Sequence, residues 1–474
     1  MPLSTKTEVM STLLLAAGLT VAAHAAETPA LTKSDLAAAT TLRSTTESSG
    51  EAYAVLESLT TEVGARLAGS AGDRAAVAWA ERELKRLGLA NVRTQEVMVP
   101  QWVRGEIEAR VTAPFPQALA AAALGGSVGT AETGIEAEVV QFTSLEDLKK
   151  ATREQVAGRI VFVNKRLERA KDGRGYGVAV PVRLEGASVA SNLGAQAIVI
   201  RSMSTSQWRL PHTGTVSYAV GVPRIPAVAV SNPDADQLER MFARNQPVRL
   251  QLRVTARELP MTKSANVIGE IVGGEKPQEV VVLGAHLDSW DLGTGAIDDG
   301  AGVAIVSAAV AQIRKSGLKP KRTIRVVLFA NEEFGLSGGS AYGKQTPEEL
   351  ANHVVAMEAD FGGARVYSLG SQVAPEHLPA VREIARALAP LGVEFDDRNK
   401  SGGGADISPL RRQGVPVFAL NQDGTLYFDY HHTANDTLDK VDPKALAQST
   451  AAYAVTAWLA AQAEGGFGRL APPQ

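Results

Sequence analysis

From Asn266 onward, continuous apolar runs alternate with helical repeats, and few folds accommodate that order. Glu279 to Ala285 reads as a strand, Ala301 to Lys315 as a helix, and Thr323 to Ala330 as a second strand. Val354 to Ala359 and Val415 to Leu420 read as further buried strands, and Asp442 to Gln462 as a closing helix. A strand apolar on both faces must be covered on both, which is the habit of parallel strands joined by helical crossovers. We therefore expect an α/β fold: a mostly parallel mixed sheet covered by helices on both faces.

Upstream the pattern differs. Residues after the leader, up to about Arg43, are Ala/Thr-rich, either poorly ordered or helical. A helix is expected from Asp73 to Leu87, with Val77, Ala80, Leu84 and Leu87 on one face, Asp73 as its cap and Gly88 at its end. Ile107, Ala109 and Val111 alternate as in a half-buried strand. Composition shifts near Ala113, where Pro114, Pro116 and an Ala/Gly-rich stretch to Gly134 mark a boundary. Beyond it come short strand signals with few helices: Gly158 to Val163, Gly194 to Ile200, and Ile225 to Val230, whose proline is limited to a strand start or edge. At 474 residues the chain exceeds an ordinary compact domain. The expected division is one domain in two parts, 26–112 and 261–474, interrupted by a β-rich insertion over 113–260.

The first 25 residues read as a signal peptide. Lys6 supplies the positive start, Ser11 to Ala23 a short apolar run, and Ala23-His24-Ala25 a small-x-small cleavage site. The run is too short to span a bilayer and no other stretch qualifies, so an exported chain, periplasmic or secreted, is expected. The chain has no cysteine, which excludes a disulfide scaffold, a thiol nucleophile and thiolate metal ligands. A net charge of −3 with both signs interspersed gives no reason to expect a nucleic acid or a membrane surface as partner. The basic run Lys165 to Arg174, broken by Glu168 and Asp172, reads as a solvated loop.

In an open α/β sheet, ligands bind beyond the carboxyl ends of the strands. There this chain places His286-Leu-Asp288, Asp298-Asp299 before a helix, Asn331-Glu332-Glu333, Asp360 and, in a late aromatic loop, His431-His432. Each alone has an ordinary reading: an Asp before a helix is commonly its cap, and a lone His is commonly structural. Together they gather two imidazoles and several carboxylates where the fold converges. Imidazole and carboxylate suit zinc. The set exceeds what one catalytic zinc takes, whereas two metals bridged by one Asp would use it all. Glu332 and Glu333 are adjacent, so one can hold metal while the other takes a proton from water. Asp288, two residues beyond His286, could fix the imidazole tautomer.

The stretches His286 to Asp291, Gly295 to Gly300, Asn331 to Leu336, Met357 to Asp360 and His432 to Thr437 resemble the di-zinc exopeptidases that include bacterial leucyl aminopeptidase and the glutamate carboxypeptidases. Gly64 to Ser70, Gly402 to Asp406 and the double His431-His432 resemble the plasma glutamate carboxypeptidase branch. The insertion resembles a protease-associated domain. The resemblance implies two zinc ions per chain bridged by Asp298. It implies His286 and Asp360 at one ion, Glu333 and His432 at the other, Glu332 as general base, and Asp288 behind His286. It further implies a dipeptide or short-peptide substrate and a homodimer.

Other readings compete. Gly335-Leu-Ser337-Gly-Gly339 matches a nucleophile elbow, and Ser337, Asp360 and His432 follow in hydrolase order, but Ser337 lies beyond the strand-to-helix turn an elbow needs. A binding protein on this fold would have lost ligands, and none is missing here. An aminopeptidase would share the same metal core as a carboxypeptidase or dipeptidase. Arg411 and Arg412 are candidates for a substrate-carboxylate pocket, against a solvated helix surface. Tyr427 and Tyr430 are candidates to meet an oxyanion, and His212 to reach the cleft from the insertion.

Overall fold

The computed structural model describes residues 30–471, so the expected signal peptide lies outside the described residues. Eight strands form one mixed sheet in the order Ala90–Val103, Arg257–Ile271, Arg322–Phe329, Lys276–His286, His353–Glu358, Val417–Gln422, Val366–Gln372, Glu394–Phe395. The four central strands run parallel, and antiparallel partners flank them. Along Lys276–His286 the pleat sends Val281, Leu283 and Ala285 to one core and Val280 and Val282 to another. Both faces are thus buried, as the unbroken apolar run requires.

On the first face lies helix Ala301–Lys315, apolar on nearly every side, enclosed by Pro443–Gln462, Glu51–Glu62 and Lys33–Glu47. With the preceding turn, it forms a segment long and apolar enough to cross a membrane, contrary to the sequence reading, yet that segment is wholly buried in the protein core. On the second face Ile407, Leu410 and Tyr342 cover the sheet from the short helices Ser337–Tyr342 and Ser408–Arg412 and the loop before the latter.

The expected helix after Asp73 starts earlier, at Ala71. Ser70 is its cap, accepting from the Asp73 N–H at 3.1 Å, while the Asp73 carboxylate reaches back to the Gly69 N–H at 2.9 Å and out to Ser264 at 2.8 Å. Ser70 thus answers one of the four orphan N–H groups that start any helix, and Asp73 answers the Gly69 N–H just ahead of the cap.

A second eight-stranded sheet runs Gln117–Ala118, Ile107–Ala113, Arg249–Val254, Ile135–Phe142, Ile160–Val163, Ala197–Arg201, Ala227–Val230, Ala121–Ala123. Two expectations change here. Strand Ile107–Ala113 pairs with Arg249–Val254 and belongs to this sheet, so a division at residue 113 falls at the end of a strand the second sheet claims. The segment also carries helices, among them Pro181–Asn192 and Asn232–Phe242, more than the few the sequence suggested, beside its strands. The physical reason is the parallel trio Ile160–Val163, Ala197–Arg201 and Ala227–Val230, buried along its whole length and hence in need of helical cover. Pro226 sits just before its strand, where its missing N–H costs no ladder bond.

Candidate metal centre

The carboxyl ends of the central parallel strands converge on one polar cluster. His286 is the last residue of its strand. Its backbone N–H is held by Asp299 Oδ2 at 3.1 Å, and its Nδ1 donates to the Asp288 carbonyl at 3.0 Å. A carbonyl can only accept, so Nδ1 carries a proton and Nε2 is the nitrogen left to face the carboxylates. That Nε2 lies 3.2 Å from Asp298 Oδ1 and 3.4 Å from Asp360 Oδ1. Asp298 faces the other way with Oδ2, 3.0 Å from His432 Nε2 and 3.4 Å from His431 Nε2. His432 Nε2 in turn lies 2.9 Å from Glu333 Oε2. All five residues expected to hold metal therefore meet, with Asp298 at the middle.

The donor set fits zinc. Asp298 Oδ2 is buried and accepts no hydrogen bond despite its imidazole neighbours, and Glu333 Oε1 is likewise buried without a partner. Orphaned acceptors crowded among imidazole nitrogens are costly unless a cation answers them. The electrostatics agree. Burial pulls His432 down, but Glu333 and Asp298 outweigh it and hold the imidazole up at about 9. Burial pushes Glu333 up to about 7 against the pull of His432. Burial also drives Glu332 well above the carboxyl range, with Asp360 adding to it. A cation held among these carboxylates would favour their ionised forms, which a general base requires.

Asp288 acts at two places. Its carboxylate lies 3.6 Å from His286 Nδ1, but it accepts instead from the backbone N–H groups of Glu332 at 3.0 Å and Glu333 at 3.3 Å. It is the Asp288 carbonyl that fixes the imidazole; the carboxylate fixes the turn carrying both glutamates. Asp299 likewise anchors backbone, taking the Gly302 N–H at 3.0 Å as well as that of His286.

Several supports escaped the sequence reading. Arg66, fully buried, donates to the carbonyls of Leu287, Thr294 and Gly295 at 2.5, 2.7 and 2.8 Å, tying together the loops that carry Asp288 and Asp298. Asp436 accepts from the Ile297 and Asp298 N–H groups at 2.5 and 3.2 Å, and burial raises its carboxyl to about 7. Both lie within motifs that carry the family resemblance, which was their only signal. Trp290 Nε1 donates to Glu333 Oε2 at 2.6 Å.

The second sheet's segment contributes His212, a candidate from the sequence, and Arg183, which carried no sequence signal. His212 stacks on His432 with centroids 5.2 Å apart, so it does reach the cluster. Arg183, 7% exposed, places Nη1 3.3 Å from His212 Nε2 and 3.4 Å from the Thr213 carbonyl, while its Nε is buried without a partner. Gly214, at φ +128°, makes room for it, since a Cβ there would collide with the guanidinium. Arg169, exposed as the reading of its run implies, also grips Asp429 at 2.6 Å beside the aromatic loop.

Other candidates fall away. Ser337 receives a hydrogen bond from Asn331 Nδ2 at 2.7 Å, and His432 is engaged with Asp298 and Glu333, so the elbow triad does not assemble. Arg411 and Arg412 hydrogen bond to Gln372 and Ser408 rather than to the cluster. Tyr427 is buried, stacked on Phe361 at 4.6 Å and near His431 at 4.9 Å, whereas Tyr430 packs on Trp208. A cavity of about 330 Å³ opens beside Asp360, lined by Asp172, Glu358, Asn421 and Gln422 and by no lysine or arginine.

A strand-end cluster of imidazoles and carboxylates on this sheet has the make-up of a metallopeptidase centre. The model of peptidase family M28 matches residues 266–457. Carboxypeptidase Q of Bos taurus is 36% identical over 412 residues, covering 87% of this chain and 85% of the relative. The human carboxypeptidase Q is 35% identical over the same shares. A crystal structure of a peptidase M28 precursor from Shewanella amazonensis superposes with a TM-score of 0.90 at 46% identity, covering 93% of this chain and 99% of that one. A zinc aminopeptidase from Bacillus subtilis shares the fold, with a TM-score of 0.62 at 20% identity over 86% of this chain and 93% of that one. The chain belongs to peptidase family M28, and it is a metallopeptidase hydrolase.

Proposed function

We propose that the protein is a carboxypeptidase or dipeptidase that holds two zinc ions, removing residues from dipeptides or short peptides. The observation that carries the two-ion reading is Asp298, whose two oxygens face different imidazoles, His286 at 3.2 Å and His432 at 3.0 Å. His286 and Asp360 would complete one position, and Glu333 and His432 the other. Zinc bound there would supply a water acidic enough to ionise near neutral pH and a Lewis acid for the scissile carbonyl. Glu332 takes the proton of the attacking water on its carboxylate and delivers it to the leaving amine. Asp288, by holding the Glu332 and Glu333 N–H groups, keeps base and metal-holding carboxylate in register.

The preference for a free carboxylate rests on Arg183. Its guanidinium is buried with Nε unpaired and no carboxylate partner among the described residues, so an anion would be welcome there, and it sits beside the His432 side of the cluster. The cavity near Asp360, lined by carboxylates and amides, suits the ammonium at the other end of a dipeptide. The likeness to carboxypeptidase Q points the same way. We also propose export, on the Ser11 to Ala23 run, a protease-associated-like role for the second sheet's segment as a wall of the cleft, and a homodimer, on the family resemblance.

The test is zinc content of the mature protein with hydrolysis of a dipeptide panel before and after chelation. About two zincs, activity lost to chelator and restored by zinc, and C-terminal amides cleaved far more slowly than free acids are expected. Amides cleaved as fast as acids, with blocked N-termini refused, would favour an aminopeptidase on the same centre.

A further inference from the structure

The two halves of the cluster are supported by different parts of the chain. His286 is held by Asp299 and by the Asp288 carbonyl. The segment leading to Asp360 is held by the Ala359 N–H on the Gly284 carbonyl at 2.9 Å and by the Tyr453 hydroxyl on the Glu358 carbonyl at 2.6 Å. Every one of those partners belongs to the first sheet and its helices.

The Glu333–His432 half reaches across. The Thr213 N–H donates to the His432 carbonyl at 2.9 Å, and the Thr213 carbonyl accepts from His432 Nδ1 at 3.3 Å. The Thr215 hydroxyl donates to the Glu333 carbonyl at 2.5 Å. Trp290, which positions the Glu333 carboxylate, has its ring in the second sheet's hydrophobic core, against Gly125, where any Cβ would collide with it. His432 itself sits at φ +59°, in the left-handed region that a non-glycine residue keeps only when its surroundings over-determine it. The paired bonds from Thr213 do that.

We propose that the two metal positions are unequal and that the one at Glu333 and His432 is completed by the second sheet's segment, with Thr213, Thr215 and Trp290 as its positioning residues. Docking of that segment and occupancy of that position are then one linked equilibrium: zinc there tightens the docking, and loosening the docking releases zinc. The inference rests on the two-ion reading above.

The test uses the full mature chain, with zinc affinities measured by competition with a chelator. Thr215→Val should weaken one of the two binding steps about 10- to 100-fold, the range typical of lost outer partners, and leave the other unchanged. Trp290→Phe should weaken the same step, and it serves if Thr215→Val does not fold. Tyr453→Phe should weaken the opposite step. Hydrogen exchange of the amides at 213–216 should slow only as the weaker step fills. Equal shifts of both steps in Thr215→Val or Trp290→Phe, or no shift, would overturn the inequality while leaving the two-ion reading in place. A wild-type chain that binds one zinc or none would overturn that reading itself.

Discussion

His286 and Glu333 stand at the ends of neighbouring parallel strands, yet their surroundings differ in kind. The His286–Asp360 half of the cluster is anchored on backbone that the sheet and helix Ala301–Lys315 already fix. The Glu333–His432 half hangs on a glutamate turn and an aromatic loop, both clasped by Thr213, Thr215 and Arg169 from around the second sheet. The lesson is that a metal centre can be built half from a fold's interior and half from an interface. The interior half is fixed by burial, the interface half by a handful of hydrogen bonds. Interface contacts open more readily than core ones.

The largest expected effect probes what the halves share. Glu332→Gln should cut turnover by about 10²- to 10⁴-fold while zinc content and melting temperature stay at wild-type values. A mutant that retained near-normal turnover would remove Glu332 from the base role. Asp298→Ala should empty both positions, since each half loses an oxygen; retention of two zincs, read by metal analysis after desalting, would show that the halves do not meet at Asp298. Arg183→Ala should raise KM for free-acid dipeptides about 10-fold or more, as loss of a charge-assisted bond does, with little change for C-terminal amides; parallel losses on both would take Arg183 out of substrate recognition.

A smaller effect tests the interior side by pH. Burial lowers His353, on the central sheet and 2% exposed, to about 4. Its folded pKa lies below the unfolded 6.5, so between those values the unfolded chain binds a proton that the folded chain refuses. Stability from this residue is fully present above pH 6.5 and falls as pH drops toward 4, by about 3 kcal/mol. His353→Gln should flatten that part of the unfolding midpoint against pH, and an unchanged slope would refute the assignment. Ser337→Ala should be nearly silent in rate and in metal content; complete inactivation with metals retained would revive a serine mechanism.

The candidate ligands of both halves were named from the sequence, but what holds the interface half in place was not legible there. Helix Ala301–Lys315 has the bounds its apolar run implies, and strand Lys276–His286 ends at the histidine the sequence reading placed there. Such elements announce themselves because burial on all sides leaves no polar interruption. Helix Pro181–Asn192 passed unnoticed because the residues it buries are chiefly small, among them Gly186, Ala187, Ser188 and Ala190, so no apolar stripe marks it. Arg183 and Thr213 carry no local pattern at all; their meaning comes only from docking against His432, a contact between positions more than two hundred residues apart. Asp288 was read only in part, for a related reason: spacing gives proximity to His286, but not which of two oxygen types, carbonyl or carboxylate, does the holding.

Arg66 has a consequence of its own. In a chain without cysteine, its planar guanidinium joins Gly64 to Leu287, Thr294 and Gly295, closing loops of more than two hundred residues as a crosslink would. Unlike a sulfur bridge, this staple needs no oxidant to form and no reductant can open it. A lysine, with a single point charge, could not span the same carbonyls. Two distant segments of the protein are therefore fastened in a way that is indifferent to the redox state of whatever compartment it occupies.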